Sequence, residues 1–251
     1  MSQSTPSQAT LYDLLQRMIE ESTSMVAFTG AGISAESGIP TYRGDDGLWN
    51  KYDPAKFANI NHFFKQPDYY WNFFKEVRYP VIHRARPNKA HAALAQLEQK
   101  GKLKTLITQN IDGLQQAAGS QHVLELHGNT RRIVCLNCGQ CHSMEDVYEQ
   151  LDTRLPPLCP DCDGTLKPDV VFFGESLPTD VLEDAISASQ SCDLFLVVGS
   201  SLVVQPAATL PVTARQHGAR VVIINRDPTP LDGIAELVFH SSASEVLGCL
   251  V

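Results

Sequence analysis

The chain has 251 residues, 43% hydrophobic and 19% charged, a composition that suits a folded protein able to bury a sizeable core. Its formal net charge of −8 argues against broad nucleic-acid binding, and no run approaches the roughly 20 apolar residues that span a bilayer. Seven cysteines, four of them in two Cys-x-x-Cys pairs, favour metal thiolates over disulfides, and the N-terminus has no basic-then-apolar leader, so the expected compartment is the cytoplasm.

Leu11, Leu14, Leu15, Met18 and Ile19 recur at helical spacing, which predicts an opening amphipathic helix. Residues 25–28 read as a short buried strand running into the turn Gly30-Ala31-Gly32. Residues 37–90 carry prolines and many aromatics without a period and read as loops and short helices. A helix over 90–100 stops at Gly101, and a strand follows at 104–108, with strand-like residues again at 123–126. The cysteine pairs and several prolines mark 130–168 as a small inserted module. Helices at 180–189 and 207–216 then alternate with strands at 193–198, 220–224 and 236–240. Apolar strands alternating with helices predict an α/β fold, a parallel sheet with helices on both faces.

Gly30-Ala31-Gly32-Ile33-Ser34-Ala35 fits G-x-G-x-x-G/A directly after a strand, where glycines admit a pyrophosphate and a helix N-terminus favours its charge. A plain tight turn would have the same spelling. The acidic residue expected about 20 positions on has no counterpart, while Asn225-Arg226-Asp227 ends a late strand, so hydride transfer is not the natural reading. Cys135-x-x-Cys138 and Cys159-x-x-Cys162, with 20 residues between them, can supply two thiolate knuckles of a tetrahedral zinc site. Four protein ligands leave no open position, so this zinc is structural. Cys141 fits a knuckle worse, and Cys192 and Cys249 read as packing residues. Gln109-Asn110-Ile111-Asp112 follows a strand, where open α/β sheets bind ligands; His127 is a candidate general base; Gly199-Ser200-Ser201 is a small-residue turn suited to close approach to phosphate or ribose. Val170 to Glu175 reads as an extended apolar run.

Together these stretches resemble the sirtuin family: GAGISAESGIPTYRG (30–44), TQNIDGLQQAAG (108–119), ELHGN (125–129), the two cysteine pairs, KPDVVFFGE (167–175), GSSLVVQPA (199–207) and IINRD (223–227). The resemblance implies a large Rossmann-like NAD-binding domain over approximately 8–40, 88–129 and 169–251, and a small domain over 41–87 and 130–168 that holds the zinc-ribbon module. It implies NAD-dependent removal of acyl groups from protein or peptide lysines, with NAD as co-substrate and one structural zinc. His127 would be the catalytic base, with Asn110 beside it. Ala31, Ala35, Tyr42 and Arg43 would line the NAD site; Gln109 would contact the nicotinamide ribose; Asn110, Ile111 and Asp112 would hold the nicotinamide end. Gly199, Ser200, Ser201, Asn225, Asp227 and Ala243 would surround the adenosine half, and Val170, Phe172 and Gly174 would border the substrate groove. Residues 170–175 and 199–204 would pair with the substrate peptide as a strand between them. A monomer is expected, without nucleic-acid or membrane partners.

Thr41-Tyr42-Arg43 departs from the family's common Asp-Phe-Arg, keeping an aromatic wall and adding a hydroxyl. Members that prefer acidic acyl groups carry Tyr-x-x-Arg, and Trp71 and Phe74 align there, so neutral acyl groups are expected, acetyl first. The alternatives are a mono-ADP-ribosyltransferase on the same NAD site, a zinc-ribbon nucleic-acid-binding protein, and a non-catalytic NAD-binding module.

Overall fold

The computed structural model describes residues 8–44 and 47–250. Among them, six strands, β1 (Met25–Thr29), β2 (Leu103–Thr108), β3 (Val123–Glu125), β7 (Leu194–Val198), β8 (Arg220–Ile224) and β9 (Leu237–Phe239), form a sheet in the order β3-β2-β1-β7-β8-β9, every pair parallel. Successive side chains of a strand point to opposite faces, and the packing follows that alternation. Met25 and Ala27 of β1, with Leu194, Leu196 and Val198 of β7, meet Leu15, Met18, Leu94, Leu97 and Val246 on one face. Val26, Phe28, Phe195 and Val197 meet Ala185, Leu210 and Ala214 on the other. The first face is covered by the helices Gln8–Glu21, Lys89–Gln99 and Ala243–Leu247, the second by Thr179–Ser191 and Leu210–Gln216. β1, β7 and β8 are apolar along their lengths because both faces are covered.

The chain moves from β1 outward to β2 and β3, then returns to place β7 on the other side of β1. This reversal opens a crevice beyond the carboxyl ends of β1 and β7, where such sheets bind ligands. Gly30 follows β1 and Gly199 follows β7, so both glycine turns sit at that crevice.

A second sheet is antiparallel, ordered β5-β4-β6, from β4 (Gly128–Cys135), β5 (Cys141–Ser143) and β6 (Leu166–Val170). Its apolar side shares a third core with the aromatic helical run 60–84: Ile133, Met144, Leu166 and Phe172 pack with Phe63, Tyr70, Trp71 and Phe74. Gly128 lets β4 start pressed against β6. Its φ is +73°, and a Cβ there would stand 2.0 Å from the Asp169 carbonyl oxygen.

The turn after β1 opens a helix as expected, the 3₁₀ helix Ala31–Ser37, which Gly38 in the left-handed region ends after two turns. One sequence expectation needs correction. The run 170–175 is not a strand past Val170: the Phe172 amide donates to Glu175 Oε2, Phe173 bridges to Asn59, and Gly174 turns at φ +93°. Residues 199–204 also lie outside any strand, with Leu202 at φ +56°. Cys192 packs as expected, whereas Cys249 is exposed at the end of the last helix.

Candidate active site and metal centre

The crevice widens into a cleft of about 600 Å³ between the parallel sheet and the third core. On the sheet side the two glycine turns interlock backbone to backbone. Gly30 N–H donates to the Val198 carbonyl at 3.1 Å and Gly32 N–H to the Gly199 carbonyl at 2.8 Å. A Cβ on Gly199, whose φ is +65°, would lie 2.2 Å from the Ile33 nitrogen. These glycines are therefore needed for turn-on-turn packing, besides any approach to phosphate that the motif suggests.

Behind the cleft lies a buried polar cluster centred on Ser34. Its hydroxyl donates to Asp112 Oδ2 at 2.7 Å and accepts from Asn110 Nδ2 at 3.1 Å. His91 lies beside it, its Nε2 3.4 Å from Ser34 Oγ and its Nδ1 3.0 Å from Asn88 Oδ1 and 3.3 Å from the Asn88 amide nitrogen. Burial pulls the His91 pKa down to about 4, with Asp112 opposing, so the ring is neutral at pH 7. Asp112 Oδ1 accepts the Leu114 amide at 2.9 Å. The cluster fixes Asn110, whose amide N–H is held by Thr108 Oγ1 at 3.0 Å and whose side chain reaches the cleft.

His127 borders the same cleft, directly after β3 and before β4. Its Nδ1 is 3.0 Å from the Gln109 carbonyl oxygen. A carbonyl only accepts, so Nδ1 carries the proton and Nε2 keeps its lone pair, with no partner among the described residues. Burial lowers the His127 pKa, and the Gln109 hydrogen bond opposes this. Gln109 Nε2 in turn donates to Ser200 Oγ at 2.8 Å, tying the loop after β2 to the loop after β7.

The four cysteines of the two pairs bring their sulfurs within 4.8 Å of one another. Cys135 and Cys162 sulfurs are 3.5 Å apart, and those of Cys138 and Cys159 3.8 Å. A tetrahedron with Zn–S of about 2.3 Å has edges of about 3.8 Å, whereas a disulfide would need about 2 Å. The donor set and spacing thus fit a structural zinc. Backbone amides of Asn137 and Cys138 point at Cys135 Sγ at 3.4 and 3.5 Å, which favours the thiolate. Cys141 opens β5, outside the cluster, while His142 Nε2 stands 3.4 Å from Cys159 Sγ.

Residues 30–206 match the model of the Sir2 family. The chain is 45% identical over 240 residues to an NAD-dependent protein deacetylase of Sulfurisphaera tokodaii, covering 95% of this chain and 94% of that one. It is 47% identical to NAD-dependent protein deacylase 2 of Archaeoglobus fulgidus, covering 93% and 92%. Among solved structures, a Sir2 protein with a deacetylated p53 peptide and 3′-O-acetyl ADP ribose matches at a TM-score of 0.90 and 43% identity, covering 94% and 95%. The chain belongs to the Sir2 family.

In this sirtuin nearly all residues singled out from the sequence border one cleft: Ala31, Ala35, Tyr42, Arg43, Gln109, Asn110, Ile111, His127, Val170, Phe172, Gly174, Gly199, Ser200, Ser201, Asn225, Asp227 and Ala243. Asp112 is the exception. It lies 5% exposed behind the wall with both carboxylate oxygens engaged. Sequence reasoning missed Ser34 as the hub, although it stands inside the first glycine motif, and missed His91, which lay in an unremarkable helical stretch. It placed Trp71 and Phe74 at the acyl end. Phe74 does border the cleft, but Trp71 turns into the third core, where its indole N–H donates to the Leu166 carbonyl at 2.9 Å. Arg78, one helical turn beyond Phe74, borders the cleft instead and went unremarked in the sequence.

Proposed function

We propose that this sirtuin removes acetyl groups, and other small acyl groups, from lysines of proteins or peptides, consuming NAD and giving nicotinamide, O-acyl-ADP-ribose and free lysine. Bound NAD supplies a ribose carbon whose bond to nicotinamide is exchanged for one to the acyl oxygen. The residues here would hold and tune that exchange. The glycine turns, with Ala31, Ala35 and Arg43, take the pyrophosphate side. Ser200, Ser201, Asn225, Asp227 and Ala243 take the adenosine side. Asn110, held by Ser34, and Ile111 meet the nicotinamide end, and Asp112 acts there by anchoring Ser34. Val170, Phe172 and Gly174 border the acyl-lysine. Nε2 of His127 removes a proton from a ribose hydroxyl, which general-base catalysis accelerates by about 10²–10⁴-fold.

The observation that carries this reading is His127 itself, a neutral imidazole whose Nδ1–H is fixed on Gln109 and whose bare Nε2 is left for the cleft. The Sir2-family relatives, named as deacetylases and deacylases, support it. The division into an NAD-binding domain (8–40, 88–129 and 169–251) and a small domain (41–87 and 130–168) belongs to the same proposal. The separate third core supports it, although Val170 and Phe172 pack into that core from the far side of the boundary. A cytoplasmic monomer completes the reading. Zinc thiolates persist in a reducing compartment, and among the described residues no helix is long and apolar enough to cross a membrane.

The test is an acetyl-lysine peptide with NAD, every product identified by mass. O-acetyl-ADP-ribose and free lysine are expected, and His127→Ala should abolish turnover while NAD binding persists. ADP-ribosylated protein in place of these products would favour the transferase, and undiminished turnover by His127→Ala would overturn the mechanism.

A further inference from the structure

The wall that carries Val170, Phe172 and Gly174 contains a buried ion pair that the mechanism above does not use. Lys167, in β6, is only 7% exposed. Its Nζ donates to Glu175 Oε2 at 3.0 Å and to the Val170 carbonyl at 2.7 Å, and it stands 4.4 Å from the centre of the Phe172 ring. The same Glu175 oxygen accepts the Phe172 amide at 2.8 Å, while the Glu175 amide donates to the Phe172 carbonyl at 3.0 Å. Glu175 thus closes the turn from both ends, and Lys167 grips both its carboxylate and the residue where the strand stops.

A buried ion pair is a poor means of adding stability. Taking both charges out of water offsets most of their attraction, and apolar residues of similar size often serve a fold as well or better. What this pair supplies is geometry. Phe173, at the tip of the turn, is 44% exposed, and Gly174 beside it has no side chain, so apolar packing does not hold the tip. The turn is suspended between two supports. On one side the Val171 amide donates to the carbonyl of His127, the candidate base, at 2.9 Å. On the other, the Phe173 amide donates to the Ala58 carbonyl at 2.7 Å and its carbonyl accepts the Ile60 amide at 3.1 Å, at the junction of the helices Pro54–Phe57 and Ile60–Lys65. Between those supports the Lys167–Glu175 pair sets where Val170 and Phe172 stand in the cleft wall.

We infer that Lys167 and Glu175 are positioning residues for the acyl-lysine. Their pairing holds the wall of Val170, Phe172 and Gly174 at the distance from His127 that the substrate needs. Lys167 stands behind this wall and acts through the turn, not on the reacting atoms. The inference rests on the deacylase reading above. It separates the two substrates: the glycine turns of the parallel sheet do not depend on this pair, so its loss should weaken the peptide side and spare the NAD side.

The experiment replaces the pair by apolar residues of similar size, Lys167→Met together with Glu175→Leu. It measures KM for an acetyl-lysine peptide, KM for NAD, kcat and Tm. We expect peptide KM to rise about tenfold or more while KM for NAD stays within about twofold. Tm should fall no more than about 3 °C below the wild type, because the apolar pair replaces the ionic one without a stranded charge. A merely structural pair would move Tm and both KM values together. Lys167→Arg, which keeps the cation, should hold peptide KM within about threefold of the wild type. A folded double variant with peptide KM within about twofold of the wild type overturns the inference, as does a parallel rise of both KM values. Should the double variant fail to fold, Glu175→Gln decides: it keeps an acceptor for the Phe172 amide but not the charge, and an unchanged peptide KM overturns the inference. A wild type that turns over no acyl peptide would sink the deacylase reading, and this inference with it.

Discussion

Ser34→Ala removes one oxygen and takes one partner from each of three polar groups. Ser34 is 1% exposed, so water does not readily replace the hydroxyl. Asp112, a carboxylate that is itself 5% exposed, is deprived of a 2.7 Å hydrogen bond, and Asn110 and His91 of weaker ones at 3.1 and 3.4 Å. A hydrogen bond to a charged group is worth about 1.5–3 kcal/mol and a neutral one about 1, so the longer pair adds little and the total is about 3 kcal/mol. For a chain of this size that lowers Tm by about 6–12 °C. Thermal unfolding followed by circular dichroism measures it. Asn110 is also freed from its anchor, so kcat/KM for NAD should fall by about ten- to a hundredfold, since a small misplacement beside the reacting groups is costly. A double-mutant cycle with Asp112→Asn should show coupling of about 1 kcal/mol or more. A variant melting within about 2 °C of the wild type, with unchanged kinetics, would refute the view of Ser34 as the hub of the wall.

Acid should act twice. His127 must be unprotonated to accept a proton, and burial disfavours its cation, so activity should be full at neutral pH and lost as pH falls through a midpoint below 6.5; a midpoint above 6.5 contradicts the buried neutral ring. His91, neutral when folded, leaves stability complete above its unfolded value of 6.5 and erodes it as pH falls toward about 4, because the unfolded chain then takes the proton; denaturant titrations should show a loss on the order of 3 kcal/mol across that window, smaller in His91→Gln. Metal analysis should return about one zinc per chain, and Cys159→Ser or chelation should lower Tm rather than selectively lower kcat; an active, folded protein without metal would refute the site. Gly199→Ala should fail to fold or lose more than about 3 kcal/mol, since its Cβ would strike backbone at 2.2 Å, whereas Gly101→Ala, at φ +72° with open space around it, should lose only about 1 kcal/mol; equal melting temperatures would contradict the interlocked turns.

Much of this protein was legible in its linear order because the information is local. The apolar strands 25–28, 193–198 and 220–224 carry their burial on both faces in their own composition, so a parallel sheet follows without coordinates. The cysteine pairs state their chemistry by spacing. His127, Asn110 and the glycine turns could be singled out because motif and strand end coincide. What only the tertiary structure decided are relations between distant residues. Ser34 stands 78 positions from Asp112 and 57 from His91, and no local pattern marks a hydroxyl as a hub. The run 170–175 has the composition of a strand, yet the Glu175 carboxylate and the backbone of Ala58 and Ile60 hydrogen-bond to its backbone and end the pairing at Val170. Arg78 is an ordinary basic residue in sequence. Only the fold removes its water, sets it beside Tyr42 and turns its charge toward the cleft, because burial and long-range electrostatics are properties of a packed surface and not of neighbours along a chain.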